Sequence, residues 1–323
     1  MKTYKKLYQK VCSIENLHLA FEKAKKGKTS KPYVIKFEEN LDEELQTLQK
    51  ELESLTYKPH GLTRFIIRDP KTRTIHASHF RDRVVYHALV NILEPIFEKI
   101  FIYDSYASRI NKGTHNAIKR FDEFQRKTTS NGKLVKRQLD NNKVTGYVFK
   151  ADIRKYFENV DHEILLIILK EKIKDERVIW LIRQILNNYE TEISGKGMPL
   201  GNLTSQFFAN VYLNKLDYFV KHKLKIKYYI RYVDDFVIIH KEIKMLHYYR
   251  KEIDNYLNRE LKLELHHDKS KILPLRNGIN FLGYKIFYNY TLLKRSNKKK
   301  FERNIEEKLE LYKIGFLTHE EAS

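Results

Sequence analysis

A single cysteine, Cys12, is all the thiol that this 323-residue chain contains, which excludes an intramolecular disulfide and any cysteine-cluster zinc site. A reducing, cytoplasmic setting is expected. Glycine is scarce, 11 residues in all, and none forms the glycine-rich turn of a dinucleotide-binding unit. No Gly-x-Ser-x-Gly segment accompanies the 13 histidines, so serine-hydrolase chemistry has no support. Long apolar runs are missing too: the longest clear stretch, Ile164 to Leu169, falls far short of the ~20 residues that a membrane helix requires. The opening Met1-Lys2-Thr3-Tyr4-Lys5-Lys6 is charged and lacks the apolar segment of a secretory signal, so glycosylation of the sequons at Asn202 and Asn289 is not expected. There is no internal repeat.

Acidic residues are the minority charge. Against 41 Asp+Glu stand 62 Lys+Arg, a net charge of +21, and an excess of this size points to a polyanionic partner. A lysine-rich chain from an A·T-rich genome is the plain alternative. The 22 Tyr and 18 Phe favour nucleic acid, because aromatic faces set among basic residues stack bases while the cations hold phosphates.

Apolar residues at helical spacing over 9–26 and 39–55 predict two helices joined by a polar link, Lys26 to Lys31. Pro59 and Gly61 close that region. From Arg64 to Thr74 the pattern becomes strand–turn–strand around Asp69-Pro70-Lys71-Thr72. A long helix is expected from about Asp82 to Lys99, and the lysine-rich 126–145 segment reads as a solvated loop. Tyr147-Val148-Phe149-Lys150-Ala151-Asp152 reads as a buried strand ending in a carboxylate, and Asp161 as the N-cap of the next helix. Tyr228 to Val233 and Phe236 to Ile239 are β-prone runs separated only by Asp234-Asp235, a hairpin spacing that sets two acids at the tip. The fold class is therefore α+β or mixed α/β, not a Rossmann domain.

Adjacent carboxylates at a strand turn repel unless a cation or proton offsets them. Two-metal phosphoryl transfer gives such a turn a use, since both ions need shared oxygen ligands. Asp152 and Asp234 could serve it if their strands are neighbours; otherwise Asp234-Asp235 is a polar turn.

The order of motifs from residue 64 to 284 resembles the reverse transcriptases of bacterial retroelements. Arg73 precedes the Asp82-Arg83-Val84-Val85 helix start by nine residues, as does the triphosphate-gripping arginine of group II intron-like enzymes. Ser105-Tyr106-Ala107-Ser108-Arg109 with Gly113-Thr114-His115 resembles their second fingers motif. Ala151-Asp152-Ile153-Arg154-Lys155-Tyr156-Phe157 resembles the palm motif of the first metal ligand, and Tyr232-Val233-Asp234-Asp235 the signature hairpin. His267-Asp268-Lys269-Ser270 and Asn280-Phe281-Leu282-Gly283-Tyr284 resemble the two motifs that follow, the second being the primer grip. Gly197-Met198-Pro199-Leu200-Gly201-Asn202-Leu203-Thr204-Ser205-Gln206 departs from the group II pattern, which has glutamine at the Leu200 position and Ser-Pro at Ser205-Gln206. This form resembles the diversity-generating retroelement branch, in which an aliphatic residue here is associated with misreading template adenines. Loss of a hydrogen-bonding amide near the template base is consistent with that.

The resemblance implies a right-hand polymerase with an antiparallel palm sheet: a helical N-terminal extension over 1–60, fingers and palm over 61–284, and an apparently short thumb over 285–323. It implies two Mg²⁺, with Mn²⁺ able to substitute, held by Asp152, the Ile153 carbonyl, Asp234 and Asp235. Arg73 would bind the incoming deoxynucleoside triphosphate, assisted by Lys71 or Arg68. Arg109 would hold phosphate or else bond palm carboxylates, Phe157 would act as the steric gate against a ribose hydroxyl, and Leu200 would lie at the template base. Gly201, Ser205, Gln206, Tyr232, Phe281, Leu282 and Gly283 would contact template and primer. Lys269 is the candidate general acid for pyrophosphate, with Lys271 behind it, whereas His266 and His267 read as a surface pair. A basic thumb face, Lys294 to Lys300 and on to about Tyr312, would track the duplex. Implied partners are a structured RNA template, a DNA or RNA primer, deoxynucleotides and a small basic helical accessory protein. An antiphage-defence or orphan enzyme of the same chemistry, and a non-catalytic maturase-like RNA-binding protein, are the alternatives. The lack of a cysteine/histidine nuclease module argues against a self-mobilising intron enzyme.

Overall fold

Leucines three and four apart drive the first sixty residues into helices. A computed structural model of the chain describes residues 2–68, 72–129, 144–189, 191, 193–316 and 318. Helices α1 (Tyr8–Cys12), α2 (Ile14–Lys25), α3 (Pro32–Glu39) and α4 (Leu41–Glu53) come first. α2 starts at Ser13, whose hydroxyl caps the Asn16 amide, and α4 buries Leu45, Leu48 and Leu52 as one stripe. α3 falls between the two predicted helices. Its signal is Pro32 in the first turn, where a missing N–H costs nothing.

β1 (Thr63–Ile67) and β2 (Arg73–Ala77) pair antiparallel, Thr63 opposite Ala77 and Ile67 opposite Arg73. Residues 69–71 of the predicted turn between them, Lys71 included, lie outside the described residues. α5 (Phe80–Phe97) then packs along α2, and α6 (Thr114–Thr128) follows. Residues 126–128, expected in a loop, are instead the last turn of α6, where the Thr128 hydroxyl bonds back to the Phe124 carbonyl; 130–143 lie outside the described residues.

β3 (Tyr147–Asp152), α7 (Tyr156–Asn159), α8 (His162–Lys170), α9 (Glu176–Asn187) and α10 (Leu203–Tyr218) come next. Asp161 caps α8 through the Ile164 amide, as expected. A wide helical turn over Phe219–Lys223 leads to β4 (Tyr229–Tyr232) and β5 (Asp235–His240), then α11 (Ile243–Leu261) and β6 (Lys271–Pro274). These strands form an antiparallel sheet in the order β4-β5-β3-β6. Alternate side chains enter two different cores. Phe149, Ala151, Phe236 and Ile238 join the large helical core, while Val148, Val237 and Ile239 join a second one with Phe121 and Phe124 of α6. Burial on both faces explains why these strands read as unbroken apolar runs.

β7 (Ile279–Phe281), β8 (Tyr284–Ile286) and β9 (Thr291–Leu293) make a small sheet beside the second core. The β7–β8 link is the two-residue turn Leu282-Gly283, with φ of 48° and 85°, the double left-handed conformation of a tight hairpin. α12 (Arg295–Lys313) follows and buries no residue. No described helix is long and apolar enough to cross a membrane.

Candidate active site

The acids converge because their strands are neighbours. Asp152, last in β3, lies directly opposite Asp235, first in β5. Tyr232 pairs with Asp235 across the β4–β5 hairpin, leaving Val233 and Asp234 as its two-residue loop. Val233 takes φ 54° there. The tip thus carries Asp234 alone, one residue short of the expected pair, with Asp235 anchored in the ladder.

Asp152 is held from every side. Its Oδ1 accepts the Lys269 ammonium at 2.9 Å, its carbonyl accepts the His266 amide at 2.7 Å, and Ser270 Oγ lies 3.4 Å from its amide. Ile153 bridges to Leu265, but the flanking bonds use the Asp152 carbonyl and the Arg154 amide. The Ile153 carbonyl is therefore not spent on that bridge.

Burial pushes the Asp234 carboxyl up to about 6 from 3.8, the negative charges of Asp235 and Asp152 add to this, and Lys269 opposes it. Three carboxylates thus share a partly dry corner, with the Lys269 ammonium on Asp152. Such a gathering of carboxylate oxygens suits a hard divalent cation, so the donor set fits the metal that the motifs imply.

Beneath the hairpin the electrostatics are complete. Arg231 is fully buried, with Nε and Nη2 on Asp217 at 2.7 and 2.6 Å and Nη1 on Asn210 Oδ1 and the Val233 carbonyl at 3.2 and 3.1 Å. Its Nη2 also meets Ser105 Oγ at 3.2 Å. Tyr229 donates to Asp217 at 2.8 Å, and Asn210 donates to the Ala107 carbonyl at 2.9 Å. This cluster fastens the loop carrying Ser105, α10 and the β4–β5 hairpin together. The motif reading assigned Arg231 no role; the signal was a lone cation inside the apolar run Tyr228 to Val233.

The remaining candidates divide between surface and interior. Arg73 is exposed at the start of β2. Phe157 is half-buried against Tyr156, and its carbonyl accepts the Met198 amide at 2.7 Å. Leu200 is half-buried beside β2, its carbonyl taking the His76 amide. Gly201 sits at φ 103°, where a Cβ would stand 3.1 Å from Ile75 Cγ2. A cavity of about 250 Å³ opens there, with Phe65, Ile75, Arg83, Tyr86, Gly201 and Leu203 in its wall. Gln206 is exposed and accepts the Ser108 hydroxyl at 3.1 Å, and the Tyr232 hydroxyl meets Thr114 at 3.3 Å.

Three expected contacts take another form. Arg109 forks onto Glu98 at 2.7–3.1 Å and donates to the Ile102 and Ser105 carbonyls at 2.8 Å; it fastens the loop with a carboxylate at the end of α5, not a palm one. Ser205 and Phe281 have buried side chains, which leaves their backbone as the part to meet a strand. His266 is half-buried with its amide on Asp152, so of this pair His267, beside Asp268, is the exposed one.

Residues 67–286 match the family described as reverse transcriptase (RNA-dependent DNA polymerase). The chain belongs to the reverse transcriptase family. Among curated relatives it is 28% identical to protein YkfC of Escherichia coli (strain K12) over 75% of this chain and 71% of that one. It is 24% identical to the group II intron-encoded protein LtrA of Lactococcus lactis subsp. cremoris, over 96% of this chain and 61% of LtrA. The apo telomerase of Candida tropicalis, truncated from its C-terminal domain, superposes with a TM-score of 0.54 at 12% identity, over 72% of this chain and 55% of that one. The right-hand polymerase fold expected of a reverse transcriptase, with its antiparallel palm sheet, is therefore present, while the chain spans under two thirds of LtrA and of that telomerase.

Proposed function

We propose that the chain is an RNA-directed DNA polymerase that extends a primer along a structured RNA by two-metal nucleotidyl transfer. The observation that carries this is the register of Asp152 against Asp235 with Asp234 one residue away, its carboxyl raised to about 6. Two Mg²⁺, or Mn²⁺, held by Asp152, Asp234, Asp235 and the Ile153 carbonyl would acidify the primer hydroxyl and offset charge on the leaving pyrophosphate. Asp152 and Asp235 are rigid ligands because both belong to the ladder. Lys269, 2.9 Å from Asp152, donates a proton to the departing pyrophosphate oxygen. Arg73, assisted by Lys71, grips the triphosphate by matching guanidinium to phosphate. Phe157 closes the space where a ribose hydroxyl would sit. Gly201, Gln206, Tyr232, Leu282 and Gly283 line the template and primer path. Residues 1–60 act as an extension, 61–284 as fingers and palm, and 285–323 as the thumb.

We assign the enzyme to the diversity-generating branch, working with a small basic accessory protein. Leu200 supports this: beside β2 it presents hydrocarbon where an amide would test the template base. Its likeness to an intron-encoded protein favours a second reading, a maturase-like module that holds RNA without synthesis. Primer extension on an RNA template with deoxynucleotides separates the two. Extension should require Mg²⁺ and fall at least about ten-thousandfold in Asp234→Asn, more than about 5 kcal/mol of transition-state stabilisation, while RNA affinity stays within about twofold. Undiminished synthesis by Asp234→Asn would refute the metal assignment, and no synthesis by the parent chain under any divalent ion would favour the maturase reading.

A further inference from the structure

Another group of ligating side chains meets where the N-terminal helices hand over to the β1–β2 hairpin, away from the acids of the palm sheet. His60 lies in the segment before β1, His79 is the residue preceding α5, and Asp82 is in the first turn of α5. His60 Nδ1 stands 3.4 Å from Asp82 Oδ2. The two imidazoles stack with centroids 4.7 Å apart, and one donor atom from each of the three residues lies within 4.8 Å of the others.

We propose that His60, His79 and Asp82 bind a divalent transition-metal ion of the zinc class, distinct from the magnesium ions of the palm. Two nitrogens and one carboxylate oxygen form a donor set that zinc accepts with a water in the fourth position. Magnesium, which takes oxygen ligands, competes poorly for it. Tetrahedral coordination spaces donor atoms roughly 3.3 Å apart, which the His60–Asp82 pair already meets. Both imidazoles are exposed, so a modest swing of the His79 ring supplies the remaining approach.

Asp82 is prepared for the task. It is fully buried, its Oδ1 accepts the Tyr57 hydroxyl at 2.7 Å, and its Oδ2 accepts the His60 amide at 2.9 Å. Such outer hydrogen bonds fix a carboxylate ligand and aim its remaining lone pair. An ion here would tie the segment between Tyr57 and Gly61 to the start of α5, and so seat the hairpin that carries Arg73.

The test is independent of polymerase activity. The full chain, stripped of metal and held in excess Mg²⁺ to occupy the palm, is titrated with Co²⁺ as an optical stand-in for zinc. One equivalent should produce a visible d–d absorption that Zn²⁺ erases, and Zn²⁺ should raise the melting temperature. His60→Ala and His79→Ala should each weaken Co²⁺ binding by at least about tenfold, with the metal-free melting temperature confirming that they fold, and Asp234→Asn should leave the band unchanged. Absence of the band at one equivalent, its survival in both histidine variants, or its loss in Asp234→Asn would overturn the proposal.

Discussion

The two ends of one short hairpin carry opposite electrostatic designs. At Arg231 the guanidinium and the Asp217 carboxylate are both fully buried and 2.6 Å apart, with Tyr229, Asn210 and Ser105 meeting what remains. Three residues on, burial and the charges of Asp235 and Asp152 raise the Asp234 carboxyl, against its own backbone amide and Lys269. A buried ionic group that serves architecture arrives fully matched, because an uncompensated buried charge costs several kcal/mol. The proposed metal ligands gather like charge instead, which a divalent cation would offset. The fixed cluster also holds the Val233 carbonyl, so the matched end keeps the mismatched end in position.

Breaking the matched end should cost most. Asp217→Asn strands the Arg231 charge and should destabilise the fold by about 3–5 kcal/mol, read by urea denaturation; the joint change Arg231→Met with Asp217→Leu should recover much of that loss. A mild effect of Asp217→Asn alone would mean that the pair is not what organises the hairpin.

The mismatched end should give a pH signature next in size. Asp234 has a folded pKa of about 6 against the ordinary 3.8, so its protonated form favours the metal-free fold. That contribution is fully present below about pH 4 and is lost as pH rises through 6, roughly 3 kcal/mol in total. Melting temperatures between pH 4 and 8 should fall accordingly, Mg²⁺ should restore them at the alkaline end, and Asp234→Asn should flatten the slope. An unchanged slope in that variant would remove Asp234 as its source.

Lys269→Gln probes the cation on Asp152. If Lys269 protonates pyrophosphate, extension should slow by roughly a hundredfold, and Lys269→Arg should restore little of it because a guanidinium holds its proton. Recovery by Lys269→Arg would leave Lys269 as a positioning contact on Asp152. Leu200→Gln should have the smallest effect. An added hydrogen bond of about 1 kcal/mol should cut errors opposite template adenine several-fold by sequencing of the product, and an identical error spectrum would end the mutagenic reading.

Local features were legible in the chain, and pairings across distance were not. The apolar run ending at Asp152, the hairpin around Asp234-Asp235 and the Asp161 cap all announce themselves within a few residues, since strand period, turn length and capping are local physics. The reverse transcriptase motifs supplied the family and the polymerase fold. What periodicity could not supply was the partner of a buried charge: Arg231 finds Asp217 on another element, and Arg109 finds Glu98 where palm carboxylates were the alternative to phosphate. Burial likewise was not written in the motifs, which named Ser205 and Phe281 without showing that their side chains are enclosed. α3 escaped because eight residues after a basic link offer too little pattern, and only Pro32 marked its start.

Asp152 and Asp235 face each other across adjacent strands whose side chains alternate between two filled interiors. Their meeting is thus a matter of parity: adding or deleting one residue anywhere in Tyr147–Asp152 or Asp235–His240 would turn an acid to the opposite side and drive apolar neighbours out of place. Drift in that segment is consequently open to exchanges of side chain and closed to changes of length.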